Sequence, residues 1–372
     1  MILGIDTSTY LEELQNNAKY YVDGKQVDPL DVMYVNGVSH MRIRLWNNPH
    51  DENGTNYLAG TCDVNNFLAL AKLAQSKGYK ILLDFHYSDF WADPAKQFPP
   101  KAWKDFTFEQ LEQAVHQFTE DVLLTAQANG IDIAMVQVGN EITNGILWPH
   151  GKLTECNGGV RNGYGNLIKL LNAGISPCRK IYPDAKIMLH LERSYDQEVY
   201  NEFFTQMQLA NVDFDIIGMS FYPYWHGTPD RFFANVNNCK KFGKSIVVAE
   251  LGYGFTTESF TIIKDGQKHQ IALNTMTVDD FGVVDMYPLT PQGQACFISD
   301  FIERAQNEGV DGVFYWEPLW LPGENICWAS PEGQDYIHES GKPTANEVAN
   351  CCLFDYLGNA LPSLYAFSLN KK

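Results

Sequence analysis

Eight short apolar runs, separated by longer segments of helical period, constrain this chain more than any other feature of its sequence. The runs are ILGID (2–6), VSHMRIRLW (38–46), YKILLDFHY (79–87), IDIAMVQVGN (131–140), AKIMLHL (185–191), FDIIGMSFY (214–222), SIVVAEL (245–251) and VDGVFYW (310–316). Between several of them, apolar residues recur three or four apart: Phe67, Leu70, Ala71 and Ala74; Phe108, Leu111, Val115, Phe118 and Val122; Val199, Phe203, Met207 and Ala210; Ile298, Phe301, Ile302 and Ala305. Such stripes cover a sheet, and near-continuous apolar strands between them indicate a parallel sheet buried on both faces. Eight units of this kind predict a (β/α)₈ barrel. The first unit is irregular, because residues 7–28 are rich in turn formers. Segments 252–291 and 318–345 are too long for ordinary connections and are expected to be structured loops after strands seven and eight. No linker or repeat divides the chain, so residues 1–372 are read as a single barrel domain, with 321–372 an extension packed on it.

Composition narrows the function. A formal net charge of −18 argues against a nucleic-acid partner, which needs clustered Lys and Arg, but is compatible with a neutral ligand. Aromatic residues make up 13% of the chain, which favours stacking surfaces. The 8 cysteines form no CxxC pair, so no zinc ribbon or thioredoxin motif is expected; their even number fits disulfides and buried thiols alike. No apolar run is long enough to span a membrane. Met1 almost abuts the first strand, which suggests a cleaved leader replaced by an initiator Met.

In barrel enzymes the active site lies where the strands end. The polar residues closing the runs are Arg42 and Arg44, then Asp84, His86 and Asp89, then Asn140 and Glu141, followed by His190 and Glu192, Tyr222, Glu250, and finally Trp316 and Glu317. Glu141 and Glu250 end strands four and seven, which face each other across a barrel mouth. Two facing carboxyls ringed by aromatics suit glycoside hydrolysis, in which one acid protonates the leaving oxygen and the other attacks the anomeric carbon. Arg44 is expected beside Glu250, keeping it ionised, while that charge and desolvation raise Glu141. Singly, a strand-end Glu is as readily a salt-bridge partner, His86 a satisfied core histidine, and Trp91, Trp225, Trp316 and Trp320 packing residues. Their concentration at strand ends favours a site.

The segments RIRLWNNP (42–49), LLDFHYSDFWADPAKQ (82–97), VQVGNEITNGILWP (136–149), SFYPYW (220–225), VVAELGYG (247–254), YPLTPQGQ (287–294) and FYWEPLW (314–320) together resemble the endo-β-1,4-galactanases of glycoside hydrolase family 53. The resemblance runs from Gly4 to about Trp320. It implies a (β/α)₈ retaining glycosidase that cleaves β-1,4-galactan internally, with galactan and galacto-oligosaccharides as partners and no required cofactor. By motif, Glu141 is the acid/base, Glu250 the nucleophile and Asn140 the partner of the substrate 2-hydroxyl. Arg44 and Tyr222 position the nucleophile, and His86, Asp89, Trp91, Trp316 and Trp320 line the sugar sites. Trp148 is a weaker candidate for contact. Leu251 stands where the family has threonine. Of a calcium loop found in some members, Asp265 and His269 are kept but Gln267 and Ile271 replace other ligands, too few oxygens for calcium to be expected. With the expected cleaved leader, a secreted, periplasmic or cell-surface location is expected. The alternatives are a related barrel enzyme acting on mannan, xylan or glucan, and a non-catalytic galactan-binding protein.

Overall fold

The computed structural model describes residues 1–156, 159–264, 266–273 and 281–368. Eight parallel strands close into a barrel: β1 (Ile2–Asp6), β2 (His40–Leu45), β3 (Lys80–Phe85), β4 (Ile133–Val138), β5 (Lys186–Leu191), β6 (Ile216–Phe221), β7 (Ser245–Leu251) and β8 (Gly312–Trp316). Each pairs with its neighbours in chain order, and β8 closes on β1 with Ile2 opposite Gly312 and Asp6 opposite Trp316. All eight expected runs are strands. Four of them, β2, β3, β4 and β6, end one or two residues inside the apolar run, where the chain leaves the ladder for a turn.

The helices that cover the barrel begin where the sequence supplies caps. Asp63, Thr107, Asp196, Thr228 and Thr290 each accept a backbone N–H of the following first turn. Each such cap contributes about 1 kcal/mol. The buried faces of helices Val64–Ser76 and Phe108–Ala128 carry the residues of the expected stripes, among them Phe67, Leu70, Leu111 and Val115. The irregular first unit holds a short helix (Tyr10–Gln15), a two-stranded hairpin (Tyr20–Val22 with Lys25–Val27) and the helix Pro29–Val35.

The barrel interior is layered. Leu82, Met135, Met188, Val247 and Phe314 form an apolar plug. Gly4 makes room for it, since a Cβ there would lie 2.3 Å from the Phe314 ring. Toward the strand C-termini the inward positions turn polar: Asp6, Arg42, Asp84, Gln137, His190 and Ser220 are all buried. The segment after β8 wraps back over the barrel. Leu353 N–H bonds Pro318 O, Ala360 N–H bonds Tyr21 O, and Leu364 and Phe367 are fully buried. All eight cysteines are unpaired, six of them buried, so burial as free thiols rather than crosslinking accounts for most of them.

A second buried polar cluster lies behind β1 and β8. Glu13 takes a hydrogen bond from Tyr20, the Thr9 hydroxyl lies 2.8 Å from both Glu13 and Glu317, and Glu12 accepts the Gly60 N–H while its Oε1 has no partner. Burial pushes the Glu12 carboxyl up to about 8, against an unfolded value of 4.5. The folded state therefore holds this proton more tightly than the unfolded one. The stability it contributes is complete below about pH 4.5 and is lost as pH rises toward about 8. Glu12→Gln should flatten this dependence, narrowing the fall in Tm between acidic and alkaline buffer by roughly a few degrees. An unchanged difference in Tm between pH 5 and pH 9 buffers would count against this assignment.

Candidate active site

A cavity of about 490 Å³ opens at the C-terminal mouth of the barrel, with Glu141 and Glu250 in its wall. Backbone geometry brings both side chains there. Beyond β4, Gly139 has φ +89° and Glu141 itself has φ +49°, a left-handed conformation that costs a non-glycine residue about 1–3 kcal/mol and is commonest where function demands it. In β7 the pairing with β6 shifts register, with Met219 opposite Val248 but Ser220 opposite Glu250. Simple alternation would turn Glu250 outward after the inward Ala249. The irregularity lets both side chains face the interior, a known use of bulges.

Glu250 is held by an ion pair and a hydrogen bond. Arg42 NH1 lies 2.9 Å from its Oε1, and the Tyr222 hydroxyl donates to its Oε2 at 2.8 Å. Burial raises Tyr222 well above its ordinary value, so it stays a donor. Arg42 makes four hydrogen bonds, Nε to Gln137 (3.0 Å), NH1 to Asp6 (2.7 Å) and NH2 to Asp84 and Asn140 (2.8 Å each), and its NH1 is ion-paired with Glu250 as well. Burial would raise Asp84, but Arg42 and His86 outweigh it and hold that carboxyl below its usual range.

Sequence reasoning put Arg44 beside Glu250, and the structure corrects this. Arg44 pairs instead with Glu317, donates to Ala59 O at 2.9 Å, and lies 4.4 Å from the centre of the Trp91 ring. Both arginines point inward because they are two residues apart on β2. Arg42 is opposite Asp6 and Leu82, Arg44 opposite Asp84, so they lie at different levels in the barrel. Only Arg42 lies at the level of Glu250.

Glu141 and Glu250 each bring a carboxylate oxygen within 4.8 Å of the other, and a nitrogen of His190 falls inside the same radius. This trio is an acid pair rather than a metal centre, because His190's ring nitrogens face Ser220, Gln137 and Asn140 and a guanidinium already occupies Glu250. Burial raises both carboxyls. For Glu250, Arg42 and Tyr222 oppose that rise, whereas Glu141 is pushed further by the charges of Glu250 and Glu192, with Ser220 opposing. A proton shared by the pair therefore resides on Glu141.

The remaining expected residues divide. His86 lines the cavity; its Nδ1 accepts from Trp46 Nε1 and the Ala92 N–H, so its Nε2–H donates to Asp84 at 3.0 Å. Asn140 lines it too, its amide bonded to Ala92 O at 2.9 Å. Trp91, Trp316 and Trp320 form one aromatic wall, with Trp91 and Trp316 ring centres 6.4 Å apart. Asp89 is not in the wall. The chain turns at Tyr87 (φ +52°) and carries Asp89 into a loop, where it accepts the Asn48 and Lys101 N–H groups and pairs with Lys101. Its expected role at a sugar site is replaced by one in holding that loop. Trp148 is likewise outside the wall, its Nε1 donating to Asn144 O. Asp265 lies outside the described residues, and His269 is exposed on the hairpin Phe260–Lys264 with Gln267–Ile271. Missed in the sequence were Arg42 as the partner of Glu250, Ser220 beside Glu141, and Trp328 and Lys342 of the C-terminal segment, which close one side of the cavity. The serine could have been suspected as a lone hydroxyl at an inward position of an apolar strand.

Comparison with known proteins agrees with this geometry. The model of glycosyl hydrolase family 53 matches residues 2–367. An endo-beta-1,4-galactanase of Bacillus subtilis is 33% identical over 98% of this chain and 85% of its own length. An arabinogalactan endo-beta-1,4-galactanase of Thermothelomyces thermophilus is 29% identical over 98% of both. The solved GH53 catalytic domain of Ignisphaera aggregans superposes with a TM-score of 0.87 at 36% identity, covering 100% of this chain and 96% of that one. An exo-beta-1,4-mannosidase from an Opitutaceae bacterium shares the barrel alone, at TM-score 0.60 and 12% identity, over 99% of this chain and 58% of its own. The chain belongs to glycosyl hydrolase family 53.

Proposed function

We propose that this protein is an endo-β-1,4-galactanase that hydrolyses galactan, including the side chains of type I arabinogalactan, by double displacement with retention. The observation that carries the mechanism is the approach of the two carboxyls to within 4.8 Å, with only one of them bonded to an arginine. That spacing suits direct attack, typically about 5–5.5 Å, and leaves too little room for the water of an inverting enzyme. Glu250 attacks the anomeric carbon as the bond to the leaving galactose breaks, and the Glu141 proton passes to the departing oxygen. The galactosyl ester neutralises Glu250, which removes the main charge favouring protonation of Glu141. Glu141 then takes a proton from water as that water attacks the same carbon, the ester bond breaks, and Glu250 leaves as carboxylate. One water is consumed per bond cleaved, and no cofactor enters. Arg42 and Tyr222 hold the nucleophile, Asn140 offers its second amide N–H to a substrate hydroxyl, His86 shapes the cavity wall while held by Asp84, and Trp91, Trp316 and Trp320 offer faces to sugar C–H groups.

Substrate choice does not follow from the barrel, so it needs its own test. Galactan, mannan, xylan and a β-glucan are offered in parallel and new reducing ends are counted. Release from galactan alone is expected; preference for another polymer would overturn the substrate, and binding without release would leave a galactan-binding protein. Proton NMR of the first products should show the β-anomer before mutarotation, and an initial α-anomer would replace retention with inversion. Because the substrate is a polymer too large to cross a membrane unaided, the protein acts secreted or at the cell surface. Among the described residues no helix is long and apolar enough to cross a membrane. Fractionation of the source cells tests the location.

A further inference from the structure

Glu141 Oε1 lies 2.7 Å from the Ser220 hydroxyl, which in turn lies 2.8 Å from His190 Nε2. Ser220 and His190 are completely buried on β6 and β5. The direction of this chain of hydrogen bonds can be worked out from groups that have no choice. Arg42 can only donate, so the Asn140 and Gln137 atoms it meets are oxygens, and the Gln137 atom 3.1 Å from His190 Nδ1 is an NH₂ donor. The backbone N–H of Glu141 also points at Nδ1, at 3.4 Å. A backbone N–H has a fixed direction, so Nδ1 cannot carry a hydrogen of its own without opposing it. Asn140 Oδ1, 3.0 Å from the same nitrogen, already receives Arg42, and the two hydrogens of the Gln137 amide are shared among Asn140 Oδ1, Gly139 O and Nδ1 itself. The ring hydrogen therefore sits on Nε2 and is donated to Ser220. With its oxygen accepting, the serine hydroxyl has its hydrogen left for Glu141 Oε1.

We propose that His190 and Ser220 form a one-way hydrogen-bond relay that fixes Glu141 Oε1 as an acceptor, so that the catalytic proton is carried on Oε2, the oxygen left for the substrate. The two are positioning residues, acting through Glu141, and the proposal rests on the reading of Glu141 as acid/base. The relay serves both halves of the reaction. In the first, the proton sits on the oxygen that can reach the leaving group; in the second, the serine hydrogen bond supports the carboxylate that accepts a proton from water. No proton need move along the relay. His190 suits this role because burial, with Arg42 beside it, lowers its basicity well below the usual histidine range and keeps the ring neutral, with Asp84 opposing and His86 and His226 reinforcing the effect.

The test uses Ser220→Ala in the full chain, which removes one hydroxyl. On galactan, whose leaving group needs its proton, kcat/KM should fall roughly tenfold further than on an aryl β-galactobioside with an activated phenol. The groups facing Glu141, namely Glu250, Glu192 and Asp93, stay in place. Loss of the donor to the carboxylate should thus move the alkaline limb of the kcat/KM profile upward by about one pH unit. In a Glu141→Ala background the serine substitution should add no further loss. Equal losses on both substrates, an unmoved alkaline limb, or an additive loss in that background would each overturn the relay. Glu141→Ala alone tests the underlying reading: it should spare the activated substrate relative to galactan and form β-galactobiosyl azide when azide is added. If that signature is missing, the acid/base assignment falls; if it is present while Ser220→Ala behaves additively, only the relay falls. Circular-dichroism melts of both variants separate these outcomes from misfolding.

Discussion

Replacing Glu250 with glutamine should leave a folded barrel that turns over galactan more slowly by on the order of 10⁴-fold or more, because the amide cannot form the glycosyl ester. The fold should persist because the side chain keeps its shape. Arg42 also retains Asp6 and Asp84, at 2.7 and 2.8 Å, so its charge stays compensated. Removing one of three carboxylates around a single guanidinium relieves like-charge repulsion, and Tm should be unchanged or slightly higher. The shorter Glu250→Ala opens a gap on the attacking side. Added azide should occupy that gap and yield an α-galactosyl azide, the opposite anomer from the product expected of Glu141→Ala. Near-normal galactan turnover by the glutamine variant, with purity checked by active-site titration, would remove Glu250 from the mechanism.

The second large effect is expected at Arg42. Arg42→Met should destabilise the protein by about 3–5 kcal/mol, since it strands Asp84 and Glu250 in a buried site without their arginine and leaves Asp6 only the longer contact with Arg44 at 3.7 Å. Arg42→Lys is the more informative change for activity. An ammonium keeps the charge but cannot span five acceptors in the plane of the fork. Weaker pairing should raise the Glu250 carboxyl, which must be ionised to attack, so the acidic limb of the kcat/KM profile should move to higher pH. Arg44→Lys should leave that limb where it was, because Arg44 pairs with Glu317 rather than Glu250. A shift produced by Arg44 and not by Arg42 would restore the partner expected from sequence.

That contrast shows how much of the site was legible before the fold. Hydrophobic periodicity is a local property, so the eight strands and the face on which they end could be read directly, as could two acids standing at strand ends without a neighbouring charge. Aromatic residues in the same loops pointed to a sugar. Which arginine serves Glu250 was not legible, because alternation on β2 sends both inward and only the stagger of the closed barrel sets their level. Asp89 looked like a cleft residue through its place after β3, yet a left-handed Tyr87 turns it into a loop anchor.

The sequence by itself determined the barrel, the end at which chemistry occurs and the two carboxyls that face each other there, because strand period and strand termini are encoded within a few residues. Tertiary structure alone decided the rest. Closure of the barrel brought Arg42 of β2 onto Glu250 of β7, the register shift in β7 turned Glu250 inward, and the packing of β5 against β6 joined His190 to Ser220 and so to Glu141. The physical reason is that a proton's position in a buried site depends on charges and donors within a few ångströms, contributed by residues tens to hundreds of positions apart in the chain.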